Sequence, residues 1–338
     1  MPIATSFATP NYAGLLFAKG RVDTPFSTMI GAKRRAVNHT EFATGVEYNV
    51  GEGEIPNYSE KDTLTAPEAK VVTRGQKTNV TQIFMESFAV SDVKESNMGT
   101  LSGLNVAGQQ PNPMSEIDFQ AGIAMQRLAK SVEKTFINGT YNKATNDEEV
   151  NKTRGMIQAI ETNVCDMSGK PLSIWDVADM LIQIRAQGGS TNGLVLWCDY
   201  VTKFQFSAEA AANNFMVYNN HHNVHGLNID RIETPAGIVD ICVGAELPVG
   251  TAMLLNFAVI APVDQNHPKK GNFYLKELPT RGFGTEYAVL GQLGLDHGPE
   301  WMHGKFVNIK TTYDRPNGLL VNNTAAAAAA ANVPDPQE

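Results

Sequence analysis

Long hydrophobic runs are absent from this 338-residue chain: no apolar stretch approaches the ~20 residues needed to span a bilayer. The opening MPIATSFATPNYAGLL lacks a basic start followed by a sustained apolar region, so no secretory signal is expected. Cysteine is scarce too. Cys165, Cys198 and Cys242 are odd in number, far apart and never in a C-x-x-C pair, which excludes a disulfide framework and a cysteine zinc site. Cys198 and Cys242 lie in apolar runs and read as small hydrophobes. The expectation is a soluble protein of a reducing cytoplasm, in which the Asn-x-Ser/Thr triplets at Asn38, Asn79, Asn138 and Asn322 carry no glycosylation. Charge is in equally short supply. Asp, Glu, Lys and Arg make up 18% of the chain, below the usual ~25%, and their balance of −8 excludes the basic stripe of a nucleic-acid-wrapping protein. The one compact basic cluster is Lys33, Arg34 and Arg35. Low charge with abundant Asn, Thr and Gly suits a surface largely covered by other protein.

Catalytic constellations are missing as well. GEGEIPN has neither the third glycine nor the lysine of a phosphate-binding loop, and no Gly-x-Ser-x-Gly elbow occurs. Glu52 and Glu54 are flanked by Gly51 and Gly53, and a catalytic carboxylate needs a positioned, partly desolvated setting. In NNHHNVHG, His221 and His225 are four apart and could share a metal on a helix, with His222 between them. The surrounding Asn219, Asn220, Asn223 and Gly226 favour a polar loop instead. Trp175, Trp197 and Trp301 read as packing anchors. No enzyme activity, cofactor or metal is expected.

The elements present follow an order. Residues 1–39 have prolines and single aromatics without a sustained period, and read as an extended arm pinned by Phe7, Tyr12, Phe17 and Phe26. Phe42, Val46, Tyr48 and Val50 share one parity, as a strand requires. GEGEIPNYSEKDTLTAPEAK (51–70) is polar and has little material for a core, and the alternating stretch 71–93 supplies the returning strand of a long hairpin. A loop of that length is usually functional. Residues 115–138 form the best helix, capped by Ser115, with a stripe of Ile117, Ala121, Ala124, Leu128 and Val132 and a closing Gly139. Arg127, Lys130 and Lys134 come late, where cations suit the helix dipole. A second helix opens at Ser173 with Asp176 as its box partner, followed by strand 193–198 and a helix from Asp199 to Ala212. LNIDRIETPAGIVDICVG makes two strands about a turn, and TAMLLNFAVIAPV reads as one buried strand. Further strands follow in FYLKEL, EYAVLGQLGLDHG and KFVNIKTTY, and the tail 323–338 is alanine-rich and low in complexity.

In its order of elements the chain resembles the major capsid proteins of tailed bacteriophages. The cues are TRGQKTNVTQIFMESFAVSDV leading to EIDFQAGIAMQRLAKSVEKTFING and TRGMIQAIETN, then SIWDVADMLIQIRAQGGSTNGLVLWCDYVTKF followed by HGLNIDRIETPAGIVDICVG. The likeness spans about residues 25–315; the combination carries it rather than any one motif, and the alanine-rich tail and the lack of a large N-terminal scaffolding region depart from the pattern. The resemblance implies an α+β Johnson (Hong Kong 97-type) fold: N-terminal arm 1–39, extended β-hairpin loop 40–90, peripheral domain 91–164 and 266–322 with spine helix 115–138, and axial domain 165–265. It implies self-assembly into pentamers and hexamers of an icosahedral shell around double-stranded DNA, held without sequence-specific contact and without a membrane. The expected inter-subunit residues are Arg34, Arg35, Glu52, Glu54, Glu60, Lys61, Asp62, Glu68 and Lys70. A separate scaffolding protein, a portal and a decoration protein are further implied partners, with assembly in the bacterial host cytoplasm and residence in the virion. Lys61, Lys70 and Lys77 lie in or beside the hairpin, but no catalytic glutamate marks a cross-link to a neighbour's asparagine. The alternatives are an encapsulin-like compartment or, from a different class, a hydrolase or binding module.

Overall fold

Strands Leu194–Cys198 and Ala252–Asn256 are buried at every position, and their side chains divide by parity. Val195, Trp197, Met253 and Leu255 enter one hydrophobic cluster. Leu194, Leu196, Cys198, Ala252 and Leu254 enter a second on the opposite face. One sheet therefore serves two cores. It has seven strands, ordered Val164–Asp166, Gly304–Val307, Ala252–Asn256, Leu194–Cys198, Gly237–Val243, Leu227–Thr234, His222–Val224. The computed structural model describes residues 23–322 except 49, 52, 54, 56, 66–70, 94–115, 192, 213–221, 225, 226, 235, 245, 280, 281 and 315–319.

Helix Ile174–Ala186 covers the second core with Val177, Met180, Leu181 and Ile184. Its start is set by the expected capping box, Ser173 and Asp176 each binding the other's backbone. The first core lies under the long helix Glu116–Asn138. There Ala124, Leu128, Val132 and Phe136 meet Phe84, Val289 and Leu293 of a five-stranded sheet. Gly284–Asp296 is the central strand of that sheet, flanked by Ala261–Gln265 and by Tyr274–Glu277 and Gln82–Ser91, with Arg35–Val37 at the edge. Gly139 ends the long helix where a Cβ would lie 2.5 Å from the carbonyl oxygens of both Thr135 and Thr153, so only glycine fits. Ser115 lies outside the described residues. Among the described residues no helix is long and apolar enough to cross a membrane.

The structure departs from the sequence reading in four places. Stretch 71–93 is two strands, not one: Arg74–Val80 pairs within the hairpin, and Gln82–Ser91 pairs with Gly284–Asp296. At the break, Thr81 N–H donates to the Thr40 carbonyl at 2.8 Å, and the facing pattern shifts so that Ile83 and Met85 are exposed while Phe84 and Val90 are buried. TAMLLNFAVIAPV is likewise two strands in two sheets, parted where the Asn256 side chain accepts from Ala258 N–H at 3.0 Å and turns the chain. Residues 25–33 are not extended: Pro25–Ile30 is a helix with Phe26 and Ile30 in the first core, and Gly31–Lys33 is a 3-10 turn. Trp175 is no anchor, being 60% exposed, whereas Trp197 is fully buried. As a result of these switches the five-stranded sheet takes Ala261–Gln265 from the span 165–265, and the seven-stranded sheet takes Gly304–Val307 from the span 266–322.

Candidate inter-subunit surface

The hairpin Glu41–Tyr48 with Arg74–Val80 is fastened at its base. A bulge interrupts its register between Thr44 and Val46, and Gly45 sits there at φ +57°, where a Cβ would come 2.8 Å from the Gly298 carbonyl oxygen. Beside it the Thr44 hydroxyl donates to Asp296 Oδ1 at 2.6 Å. From the other strand the Asn79 amide donates to the Leu295 carbonyl at 2.7 Å, and its oxygen accepts from Arg154 N–H at 2.8 Å. Lys143–Glu41 (2.7 Å) and Lys77–Glu161 (3.4 Å) flank these contacts. Both ion pairs are exposed and screened by solvent, so the buried contacts of Thr44 and Asn79 dominate the anchorage.

Behind Gly298 lies a buried polar group. His303 Nδ1 accepts from Asn256 N–H at 3.1 Å, which places the ring proton on Nε2, and Nε2 donates to the His297 carbonyl at 2.8 Å. Burial pushes the His303 pKa down to about 4 and lowers that of His297 as well. Burial alone would raise the Glu300 carboxyl. Hydrogen bonds from the Thr162 hydroxyl, Thr162 N–H and Glu161 N–H outweigh it and, with Lys77, hold Glu300 below the usual carboxylate range.

From Tyr48 outward the surface chemistry reverses. Tyr48, Val50, Ile55, Tyr58, Leu64 and Val71 are all exposed, Ile55 at 93% and Leu64 at 86%. Exposed apolar side chains thus recur along residues 48–71 of the hairpin. The sequence reading missed them because each stands singly among charges. Of the charged residues expected here, Glu60, Lys61 and Asp62 lie exposed in the 3-10 turn Glu60–Leu64. Asp62 is already engaged within the turn. Its carboxylate accepts from Ser59 N–H and the Ser59 hydroxyl, both at 2.8 Å, and these bonds hold its pKa down. Glu52, Glu54, Glu68 and Lys70 lie outside the described residues.

Arg34 and Arg35 work within the subunit. Arg34 pairs with Asp264 at 3.5 Å; Arg35 pairs with Asp296 at 2.9 Å and donates to the Ala43 carbonyl at 2.9 Å. The basic cluster therefore ties hairpin to sheet. On the long helix, Ala124, Leu128 and Val132 are buried, while Ile117 and Ala121 are half-buried. The same helix carries a residue no sequence signal singled out. Glu133 is buried, and its carboxylate accepts from Phe26 N–H at 2.8 Å, Ser27 N–H at 2.7 Å and the Ser27 hydroxyl at 2.6 Å. A second exposed apolar row has Trp175 and Ile182 seven residues apart on one helix, and Tyr200 and Phe204 four apart on the next. His222 lies in strand His222–Val224, whereas His221 and His225 are outside the described residues. Among the described residues no three His, Cys, Asp or Glu side chains are placed to hold a metal.

A projecting hairpin, a long helix between sheet and arm root, and a two-cored sheet define the class of shell-forming proteins with the Hong Kong 97-type fold. Solved structures share it across most of their length. The capsid of cyanophage A-1(L) matches with TM-score 0.65 at 11% identity, covering 90% of this chain and 98% of that one. The SrpI encapsulin of Synechococcus elongatus matches with TM-score 0.55 at 11% identity, covering 89% and 95%. The capsid of cyanophage P-SCSP1u matches with TM-score 0.53 at 10% identity, covering 88% and 92%. No curated protein matches the chain by sequence. The family model for the SU10 major capsid protein matches residues 2–310, and the chain belongs to that family. It is a shell-forming major capsid protein, a component of the virion capsid.

Proposed function

We propose that the chain assembles as pentamers and hexamers into an icosahedral shell around a double-stranded DNA genome, each hairpin tip lying across a neighbouring subunit. The observation that carries this reading is the exposed apolar row from Tyr48 to Val71 on a hairpin whose base is rigidly fastened. Covering a side chain such as Ile55 or Leu64 contributes about 1.5–3 kcal/mol, and strand edges gain partners when another chain lies beside them. Glu60 and Lys61, with Glu52, Glu54, Glu68 and Lys70, meet complementary charges of the neighbour. The long helix is the spine of a peripheral domain, and the seven-stranded sheet is the body of an axial domain. The role is structural rather than enzymatic, assembly takes place in the host cytoplasm, and a portal, a scaffolding protein and a decoration protein are the other partners.

Replacing residues 52–68 by a short Gly-rich turn tests the reading. The subunit is expected to fold, judged by circular dichroism, and electron micrographs are expected to show no closed shells. Normal, equally stable shells from the shortened chain would falsify it. Nucleic acid rather than a protein cargo inside particles from an infected host separates the phage shell from an encapsulin-like compartment.

A further inference from the structure

Arg127, Lys130 and Lys134 are spaced by three and four on the long helix, so they share one face. At 100° per residue that face is centred about 130° round the helix from the buried stripe of Ala124, Leu128 and Val132. Arg127 pairs with Glu86 at 3.1 Å. Lys130 and Lys134 form no ion pair with any described residue, and neither does the exposed Lys152. Lys134 and Lys152 line one open cleft of about 250 Å³ together with Gln82, Asn138 and Thr140. The other carboxylate on this half of the helix, Glu133, is buried against Phe26 and Ser27. The turn before Lys152 carries the exposed Asp147 and Glu148 and also Glu149, which is held by Thr145 N–H at 2.8 Å, and none of the three pairs with these lysines. Nor are the lysines needed by the helix itself. It runs on to Asn138, and its last turn contains no basic residue, so the expected dipole role is not filled by them. In a chain with formal charge −8, three lysines without an ion pair among the described residues are a local reversal of sign.

We propose that Lys130, Lys134 and Lys152 form a contact for the phosphate backbone of double-stranded DNA, and that this face of the long helix is turned toward the enclosed genome. The inference rests on the shell reading and sharpens it, since it selects which side of the subunit is internal. Four residues of helix span about 6 Å, so Lys130 and Lys134 can meet successive phosphates of one strand. Such contacts carry no sequence preference, and each neutralised phosphate releases counterions.

The test measures binding of a fluorescent DNA duplex to the unassembled full-length protein over a salt series. The wild type is compared with K130Q/K134Q/K152Q and with a control, K269Q/K276Q, whose lysines are exposed elsewhere. The triple variant is expected to bind at least tenfold more weakly at low salt. Its slope of log affinity against log salt is expected to be shallower by about 2 to 3. The control is expected to match the wild type, and melting curves confirm that all three fold. Equal affinity and slope in the triple variant, or equal loss in the control, overturns the proposal. Polyglutamate binding without DNA binding overturns it in favour of an acidic protein partner. Micrographs of the same proteins report separately on the shell: shells without DNA contact sink only this inference, whereas DNA contact without shells sinks the shell reading.

Discussion

Glu133 and Ser27 stand 106 residues apart in sequence, and the serine gives both its N–H and its hydroxyl to the same carboxylate oxygen, at 2.7 and 2.6 Å. With Phe26 N–H on the other oxygen, this buried carboxylate takes up the exposed donors at the start of helix Pro25–Ile30. It roots the N-terminal segment on the long helix. Burial raises the Glu133 pKa despite these bonds.

Glu133→Ala leaves buried N–H groups unpaired, each at about 1–3 kcal/mol. A loss of roughly 2–4 kcal/mol is expected in denaturant unfolding. Glu133→Gln keeps one acceptor and removes the buried charge, so it is expected to lose less than half as much. Equal losses for the two variants would show that packing, not the hydrogen bonds, holds the segment.

Changing Ile55 and Leu64 together to Ser separates folding from assembly. Both side chains are exposed in the subunit, so its unfolding free energy is expected to change by no more than about 0.5 kcal/mol. Shell yield, read by sedimentation, is expected to fall sharply. A subunit that itself loses stability would place these residues in its own core.

Gly45→Ala forces a Cβ toward the Gly298 carbonyl oxygen at a positive φ. The left-handed backbone alone costs about 1–2 kcal/mol, and the contact adds to it. Hydrogen exchange is expected to show faster opening of Glu41–Tyr48 and Arg74–Val80, with the seven-stranded sheet unchanged. Uniform acceleration across the molecule would contradict the local role.

Acid is expected to weaken the subunit in a defined window. His303 is held near pKa 4 in the fold and has an ordinary value of 6.5. Between those values the unfolded chain binds a proton that the folded chain refuses, so stability falls as pH drops from 6.5 toward 4 and levels off below. The loss from this residue is roughly 3 kcal/mol. The buried His297 acts in the same direction. The lowered Glu300 loses its contribution only below its own ordinary value of 4.5, and the raised Glu133, which binds its proton more readily in the fold, works against the histidines above 4.5. His303→Asn, which offers an acceptor but cannot ionise, is expected to flatten the melting-temperature profile there. An unchanged profile would remove His303 as its source.

What could be read from the sequence was periodicity. The stripe around Leu128, the box of Ser173 with Asp176, and the turn between Leu227–Thr234 and Gly237–Val243 are local signals, and the chain follows them. Changes of partner were invisible. Alternation runs through Thr81 almost unbroken, but the strand before it pairs back with Glu41–Tyr48 and the strand after it pairs far ahead with Gly284–Asp296. Asn256 hides a change of sheet inside an apolar run for the same reason. Glu133 looked like one more polar helix residue, because its donors come from a distant segment. The partners of Arg34 and Arg35 could not be read because Asp264 and Asp296 are remote in sequence.

The pairing of Gln82–Ser91 with Gly284–Asp296 has a consequence for synthesis on the ribosome. At about 5–20 residues per second, roughly 10–40 s separate the appearance of the first strand from that of its partner. Throughout that interval the five-stranded sheet lacks its central member, and the hairpin lacks the contacts of Thr44 with Asp296 and of Asn79 with Leu295. The base of the hairpin is therefore complete only once translation has passed Asp296.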